Sequence, residues 1–323
     1  MSLKHAHTQW SAGMPGELLA RDARSFGRVA SAIENNTRQG QEILRALSEQ
    51  HAQAPGGHVI GITGAPGVGK STTVAQLAKY YADQGDAVGI IAVDPSSPFT
   101  KGALLGDRVR MSDLNRYANI QIRSMATRGS LGGLASATYD MVHLFRYMGK
   151  DKIIVETVGV GQAEVDICHV ADTVVVITVP GLGDDIQAIK AGLFEIADIF
   201  IVNKYDKPHA QKAKQELEFM IHNRPDARPI TVLPLQANQG QGIADLSQEI
   251  ARSFQHVLSH PHLRSSKMKE MLTEMVRKRV LLLAEEHIEK QDLIDNYAEQ
   301  VIHGQVDLYS AIHTILSEVS RHG

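Results

Sequence analysis

HVIGITGAPGVGKSTTVAQLAKYY, residues 58–81, is a strand, a glycine-rich turn and a helix in succession. HVIGIT is a short β-branched run, and STTVAQLAKYY carries helical spacing. Between them GAPGVGKS (64–71) matches G-x-x-x-x-G-K-[ST] at every fixed position, in the strand–loop–helix setting that a phosphate loop requires. Gly64, Gly67 and Gly69 let the backbone curl until its N–H groups converge on phosphate oxygens. The helix N-terminus adds its dipole. Lys70 supplies a positive charge between the β- and γ-phosphates, and Ser71 a hydroxyl for Mg²⁺. The whole stretch Gly64, Ala65, Pro66, Gly67, Val68, Gly69, Lys70, Ser71 and Thr72 is therefore assigned to nucleotide binding.

Outward from this loop the same period repeats. Apolar runs recur at 87–93, 120–124, 152–156, 173–179, 199–203 and 230–235, mostly separated by helical stretches. This alternation predicts an α/β fold: a P-loop NTPase with a mostly parallel central sheet, helices on both faces, and helical extensions at both termini. Ligands of such sheets bind beyond the carboxyl ends of the strands. Residues 1–55 read as an N-terminal helical extension, with Val29 and Ile33 on one helix and Ile43, Leu44 and Leu47 on the next. Residues 56–255 read as the nucleotide domain. Residues 256–323 read as a C-terminal helical extension, where Met268, Met271, Leu272, Met275 and Val276, then Leu308, Ile312, Ile315, Leu316 and Val319, recur at helical spacing. Such stripes suit either intrachain packing or a dimerisation arm.

The base-reading signal lies at the end of the run IFIVN: Asn203-Lys204-Tyr205-Asp206, an N-K-x-D motif. Guanine presents N1–H and its 2-amino group as adjacent donors, and the Asp206 carboxylate can accept both. Adenine has an acceptor at N1 and no 2-amino donor, so the same carboxylate would be left unpaired. The Lys204 stem can lie along the base, and Asn203 can tie this loop to the phosphate loop. After the next strand, Gln236-Ala237-Asn238 begins a second base-side loop in which the Ala237 N–H is expected to reach guanine O6. Gln236 stands where a serine is usual in such loops. These motifs predict a GTPase.

Carboxylates for the metal come next. Glu156 ends the run KIIVE beside the phosphate loop, Asp94 ends AVGIIAVD, and Asp107 follows in LLGDRVRM. Mg²⁺ takes oxygen ligands and keeps several waters, so Ser71, Asp94, Asp107 and Glu156 are its candidate partners. Lys70, Asp94 and Glu156 are the candidate catalytic groups. Gly159 and Gly161 suit a γ-phosphate sensor. Gln162 is open between orienting water and a structural part.

The blocks GAPGVGKST (64–72), VDPSSPFTKGALLGDRVRM (93–111), TRGSLGGLA (127–135), ETVGVGQAE (156–164), PGLGDDIQAIKAGLFEIAD (180–198) and NKYD resemble the methylmalonyl-CoA-mutase-associated GTPases, once labelled arginine/ornithine transport kinases. The resemblance runs over nearly the whole chain. It implies a Mg²⁺-dependent GTPase, usually a homodimer, that binds a cobalamin-dependent acyl-CoA mutase, gates adenosylcobalamin delivery and protects or rescues the loaded mutase. It also places Asp184, Gln187 and Lys190 in a switch that couples nucleotide state to the partner. Tyr205 stands where alanine is commoner in the family, at the motif's non-contacting position.

Bulk properties narrow the alternatives. With 33 basic against 36 acidic residues, the net charge of −3 gives no basic face for nucleic acid. No apolar run spans a bilayer, and the N-terminus lacks a secretory signal's apolar stretch. Cys168 is the only cysteine, which fits a reducing cytoplasm and a core residue rather than a nucleophile. Two rivals are a kinase acting on a transport protein and a nickel-type metallochaperone GTPase. The first has no evident substrate site. The second would rest on His256, His260 and His262, with no cysteine nearby.

Overall fold

The computed structural model of the protein describes residues 23–50, 57–94, 112–126, 136–157, 163–181, 191–223 and 230–322. They form two compact units, which divide between Leu263 and Arg264.

The first unit is built on a seven-stranded sheet, and every pairing in it is parallel. Its strands are β1 (His58–Thr63), β2 (Val88–Asp94), β3 (Ile120–Ala126), β4 (Lys152–Thr157), β5 (Thr173–Thr178), β6 (Ile199–Val202) and β7 (Thr231–Pro234). They lie in the order β3-β2-β4-β1-β5-β6-β7, so β1 is central and the chain winds outward from it in both directions. Each of the seven apolar runs read from the sequence is one of these strands, to within two residues. Burial on both faces explains why the inner strands β1, β4, β5 and β6 read as continuous apolar runs rather than alternations.

The described α-helices within this unit are α1 (Ala23–Glu34), α2 (Arg38–Gln50), α3 (Lys70–Asp83), α4 (Ser136–Tyr147), α5 (Ala163–Asp166), α6 (Ala191–Ile196), α7 (Ala210–His222) and α8 (Ile243–Ser259). Strand alternation sorts their contacts. Ile60, Ile62, Ile90, Ile154, Val175, Ile177, Ile199 and Ile201 join one buried cluster with Val74 and Leu77 of α3 and Leu246 and Ile250 of α8. On the opposite face, glycines admit close neighbours. A Cβ on Gly61 would come within 2.7 Å of the Ile167 side chain, and one on Gly89 within 2.8 Å of the Phe145 ring. Phe145 of α4 then stacks on Phe26 of α1, ring centroids 5.7 Å apart. The α1–α2 hairpin is thus seated on α4. Arg123 of β3 also pairs with Glu34 of α1.

Three aspartates repeat one device at the end of the sheet where strands begin. Asp151, Asp172 and Asp198 each stand one residue ahead of a strand. Their carboxylates accept the backbone N–H of Ala87 (2.8 Å), Val59 (2.9 Å) and Val174 (2.8 Å), respectively. Each aspartate's own N–H returns to the carbonyl of the same residue. Every pair therefore exchanges two hydrogen bonds and clamps one strand's start to its neighbour.

The second unit contains most of α9 (Pro261–Lys290), α10 (Leu293–Ile302) and α11 (Leu308–His322). Leu293, Ala311 and Ile315 are buried in it. α10 is not among the sequence expectations, although LIDNYAEQVI places Leu293, Tyr297 and Val301, and Ile294, Ala298 and Ile302, at helical four-residue spacing. Met268, Leu272, Val276 and Val280 form an exposed apolar row at four-residue spacing on α9, and Leu308, Ile312 and Leu316 another on α11. Among the described residues, no helix is long and apolar enough to cross a membrane.

Candidate functional site

β1 delivers the chain to the phosphate loop at Gly64, whose φ of +140° only glycine adopts readily and where a Cβ would lie 2.2 Å from the Ile177 carbonyl oxygen. Gly67 (φ 78°) and Gly69 (φ 97°) complete the curl, and α3 begins at Lys70. Lys70 is buried, and its ammonium donates to the carbonyl oxygens of Gly64 (2.7 Å) and Ala65 (3.0 Å). The loop is thus wrapped around its own cation. Ala65, Pro66 and Gly67 are exposed at its crest, while Val68 is buried. The 14-residue α3 turns its positive end, worth about half a charge, toward this crest.

The residues expected to hold Mg²⁺ are brought together by α3 and β4. Ser71 Oγ donates to Glu156 Oε1 at 2.6 Å, and Glu156 is only 5% exposed. A hydroxyl and a buried carboxylate meeting at the foot of the phosphate loop form a hard-oxygen donor set, which suits Mg²⁺. Asp94 closes β2, paired with Ala126 of β3. The Asp94 side chain, Asp107 and Gln162 lie outside the described residues, as do Asp184, Gln187 and Lys190.

The base side is held by Asn203. This residue follows β6, is 3% exposed, and joins three loops. Its Nδ2 donates to Val68 O of the phosphate loop (2.8 Å), and its Oδ1 accepts the N–H of Ala237 (3.1 Å). Its own N–H donates to Thr178 O at the end of β5 (2.8 Å). Lys204 adopts φ +54°, unusual outside glycine, and its ammonium donates to Gly67 O (3.0 Å). Asp206 is exposed in the turn that follows.

The Ala237 N–H, expected to meet guanine O6, is occupied by Asn203 Oδ1, and Ala237 is 1% exposed. Asn238, next along, is exposed. The serine-to-glutamine change also gains an explanation. Gln236 N donates to Gln241 O (3.0 Å) in an antiparallel bridge, so main-chain atoms close the loop whatever the side chain. Gly240 (φ 71°) and Gly242 (φ 86°) allow that closure.

The histidines behave differently. His256 and His260 have ring centroids 4.2 Å apart with planes tilted by 40°, and His260 Nδ1 is 2.8 Å from the His256 carbonyl oxygen. Their ring nitrogens do not converge. Among the described residues, no group of three His, Cys, Asp or Glu side chains is placed to hold a metal.

Comparison with known proteins is decisive for the family. Residues 23–291 match the family described as Methylmalonyl Co-A mutase-associated GTPase MeaB. The chain belongs to the MeaB family. A protein of Pyrococcus abyssi named as a GTPase is 41% identical over 319 residues, covering 95% of this chain and 97% of that one. The Methylmalonic aciduria type A homolog, mitochondrial, of Mus musculus is 31% identical over 296 residues, covering 87% and 71%. A solved LAO/AO transport system kinase superposes with a TM-score of 0.70 over 99% of this chain and 100% of that one. At 22% identity it speaks for the fold alone. As a MeaB-family member the chain is a P-loop GTPase, and guanine nucleotides are its substrate and product.

Proposed function

We propose that this MeaB-family GTPase is a Mg²⁺-dependent G-protein chaperone of a cobalamin-dependent acyl-CoA mutase, gating adenosylcobalamin loading and protecting or rescuing the mutase. The family's description names a methylmalonyl-CoA mutase, and the mouse relative's name points the same way. The observation that carries the nucleotide chemistry is Asn203, which ties the base-reading turn, the phosphate loop and the loop of Ala237 into one unit. A guanine read by Asp206 would thereby set the phosphate loop directly.

In this reading the Lys70 ammonium exchanges its two loop carbonyls for β- and γ-phosphate oxygens. Glycine-loop amides and the α3 dipole share the remaining phosphate charge. Ser71 and Glu156 hold Mg²⁺, with Asp94 and Asp107 as further candidates. The bound ion would neutralise charge on the β- and γ-oxygens. Asp206 accepts from guanine N1–H and the 2-amino group, and O6 falls to the loop of Gln236, Ala237 and Asn238, with the Ala237 N–H as its donor. Asp184, Gln187 and Lys190 couple the nucleotide state to the mutase. The exposed apolar rows of α9 and α11 suit a homodimer. A cytoplasmic site of action completes the proposal.

The test is GTP turnover by the full chain with and without purified candidate mutases, with product phosphate and protein-bound phosphate both followed. Stimulation of phosphate release by a mutase is expected. Phosphoryl transfer to a protein, or indifference to every cobalamin mutase, would reject the chaperone reading.

A further inference from the structure

The backbone ladder between β1 and β4 runs from His58↔Lys152 to Ile62↔Glu156 and stops there. One residue further, the described backbone pairings run outward: Thr63 pairs with Val176 of β5, and Thr157 with Val93 of β2. That position lies at the end of both strands, where the phosphate loop starts. Side chains join the two strands there: Thr157 Oγ1 donates to Thr63 Oγ1 at 2.9 Å, and both residues are fully buried.

The position of this pair has chemical consequences. Thr63 is the residue before Gly64, where the phosphate loop starts, and Thr157 is the residue after Glu156. Strand alternation sends Glu156 toward α3 and Ser71, and Thr157 to the opposite face of the sheet. Fixing the Thr157 side chain on one face therefore fixes the backbone from which the Glu156 carboxylate projects on the other. Gly64 is itself wedged against the Ile177 carbonyl, so Thr63 is a stationary anchor. Valine would fill either site with the same branched shape and no polar atom to satisfy. Two hydroxyls in this dry position serve one another.

We propose that Thr63 and Thr157 are positioning residues for the GTPase centre: their hydroxyl pair ties β1 to β4 at the foot of the phosphate loop and holds Glu156 at its working distance from Ser71. The proposal rests on the reading of Ser71 and Glu156 as the Mg²⁺ pair.

The experiment uses the full chain with Thr63→Val, Thr157→Val, the double variant, Thr157→Ser and, separately, Glu156→Gln. Single-turnover GTP hydrolysis is measured against Mg²⁺ concentration, alongside GDP affinity without Mg²⁺ and thermal unfolding. Each valine variant is expected to need about tenfold more Mg²⁺ or to hydrolyse about tenfold more slowly, the range seen when groups orienting a metal ligand are removed. GDP affinity without metal should stay near wild type. The double variant should be no worse than either single one, because both remove the same bond. Thr157→Ser should restore Mg²⁺ dependence. Should a valine variant fail to fold, Thr157→Ala and Thr63→Ala carry the same comparison. Unchanged Mg²⁺ dependence in the single variants, or additive losses in the double, overturns the proposal. If Glu156→Gln also titrates like wild type, the metal reading itself has failed. If only Glu156→Gln is impaired, the failure belongs to the threonine pair.

Discussion

Ser71 Oγ and Glu156 Oε1 stand 2.6 Å apart, 85 residues distant in sequence, the hydroxyl donating to a carboxylate that is almost wholly buried. In the proposed Mg²⁺ site the serine proton would turn away, leaving both groups to offer oxygen to the ion. Glu156→Gln keeps the shape and removes the charge. Mg²⁺-dependent GTP turnover is expected to fall about 10- to 100-fold, by analogy with other losses around metal sites. A Mg²⁺ titration of turnover checks this, and a curve superimposable on wild type would refute the role given to Glu156.

Asp206 projects from an exposed turn, but that turn is anchored through Asn203 and Lys204. Asp206→Asn presents an amide donor to guanine's donors. Loss of charge-assisted bonds should weaken GTP binding by about 1.5–3 kcal/mol. Preference should shift toward xanthosine nucleotides, which offer an acceptor at the 2-position. Competition binding with both nucleotides reads the outcome, and an unaltered GTP preference would count against base recognition by this residue.

Asn203→Ala orphans the Val68 carbonyl and the Ala237 N–H together, both on residues that are 1% exposed. Each buried group left without a partner costs about 1–3 kcal/mol. Denaturant unfolding should show the loss, and GDP affinity should fall with it. Asn203→Asp is the sharper comparison, since it can still accept from Ala237 but cannot donate to Val68. A stable, tight-binding Asn203→Ala protein would mean that the three loops do not depend on this joint.

Two glycines of the phosphate loop provide a matched pair. Gly67 and Gly69 both have positive φ, so alanine strains the backbone at either position by about 1–2 kcal/mol. Around Gly67 an added Cβ meets nothing within 4 Å, whereas at Gly69 it lies 2.4 Å from Asn203 Nδ2. Gly69→Ala should therefore lower nucleotide affinity further than Gly67→Ala. Calorimetry on the two variants settles the order, and equal losses would remove the steric argument.

His143 of α4 lies 3.0 Å from Ser48 Oγ of α2 through its Nε2. Burial, reinforced by Arg146, holds its pKa below the ordinary 6.5. The folded state thus favours neutral imidazole, while the unfolded chain takes up a proton first. The associated stability is present in full above pH 6.5 and is lost as pH falls below it toward the depressed value. Thermal unfolding between pH 8 and pH 5.5 should show a steeper decline for wild type than for His143→Gln. Parallel curves would show that His143 does not contribute to the acid sensitivity.

The sheet was legible because strands buried on both faces announce themselves as apolar runs, and the phosphate and base motifs because their spacing is tied to chemistry. Contacts that depend on distant register were not. Nothing in HVIGIT or KIIVET marks Thr63 and Thr157 as partners, since threonine suits any strand. The occupied Ala237 N–H was equally hidden, for it depends on which way the Asn203 amide turns. α10 carries a helical apolar period, but its ten residues are too few for that period to stand out from the helices around it.

The clamps made by Asp151, Asp172 and Asp198 all sit at the end of the sheet remote from Lys70 and Asp206. Alignment of the strands they join is therefore guaranteed from the floor of the molecule. Loops at the roof are free to rearrange through a hydrolytic cycle without dragging any strand out of step. Exchanging roof segments between relatives should accordingly be tolerated far better than editing the three aspartates, since only the latter would let neighbouring strands slide.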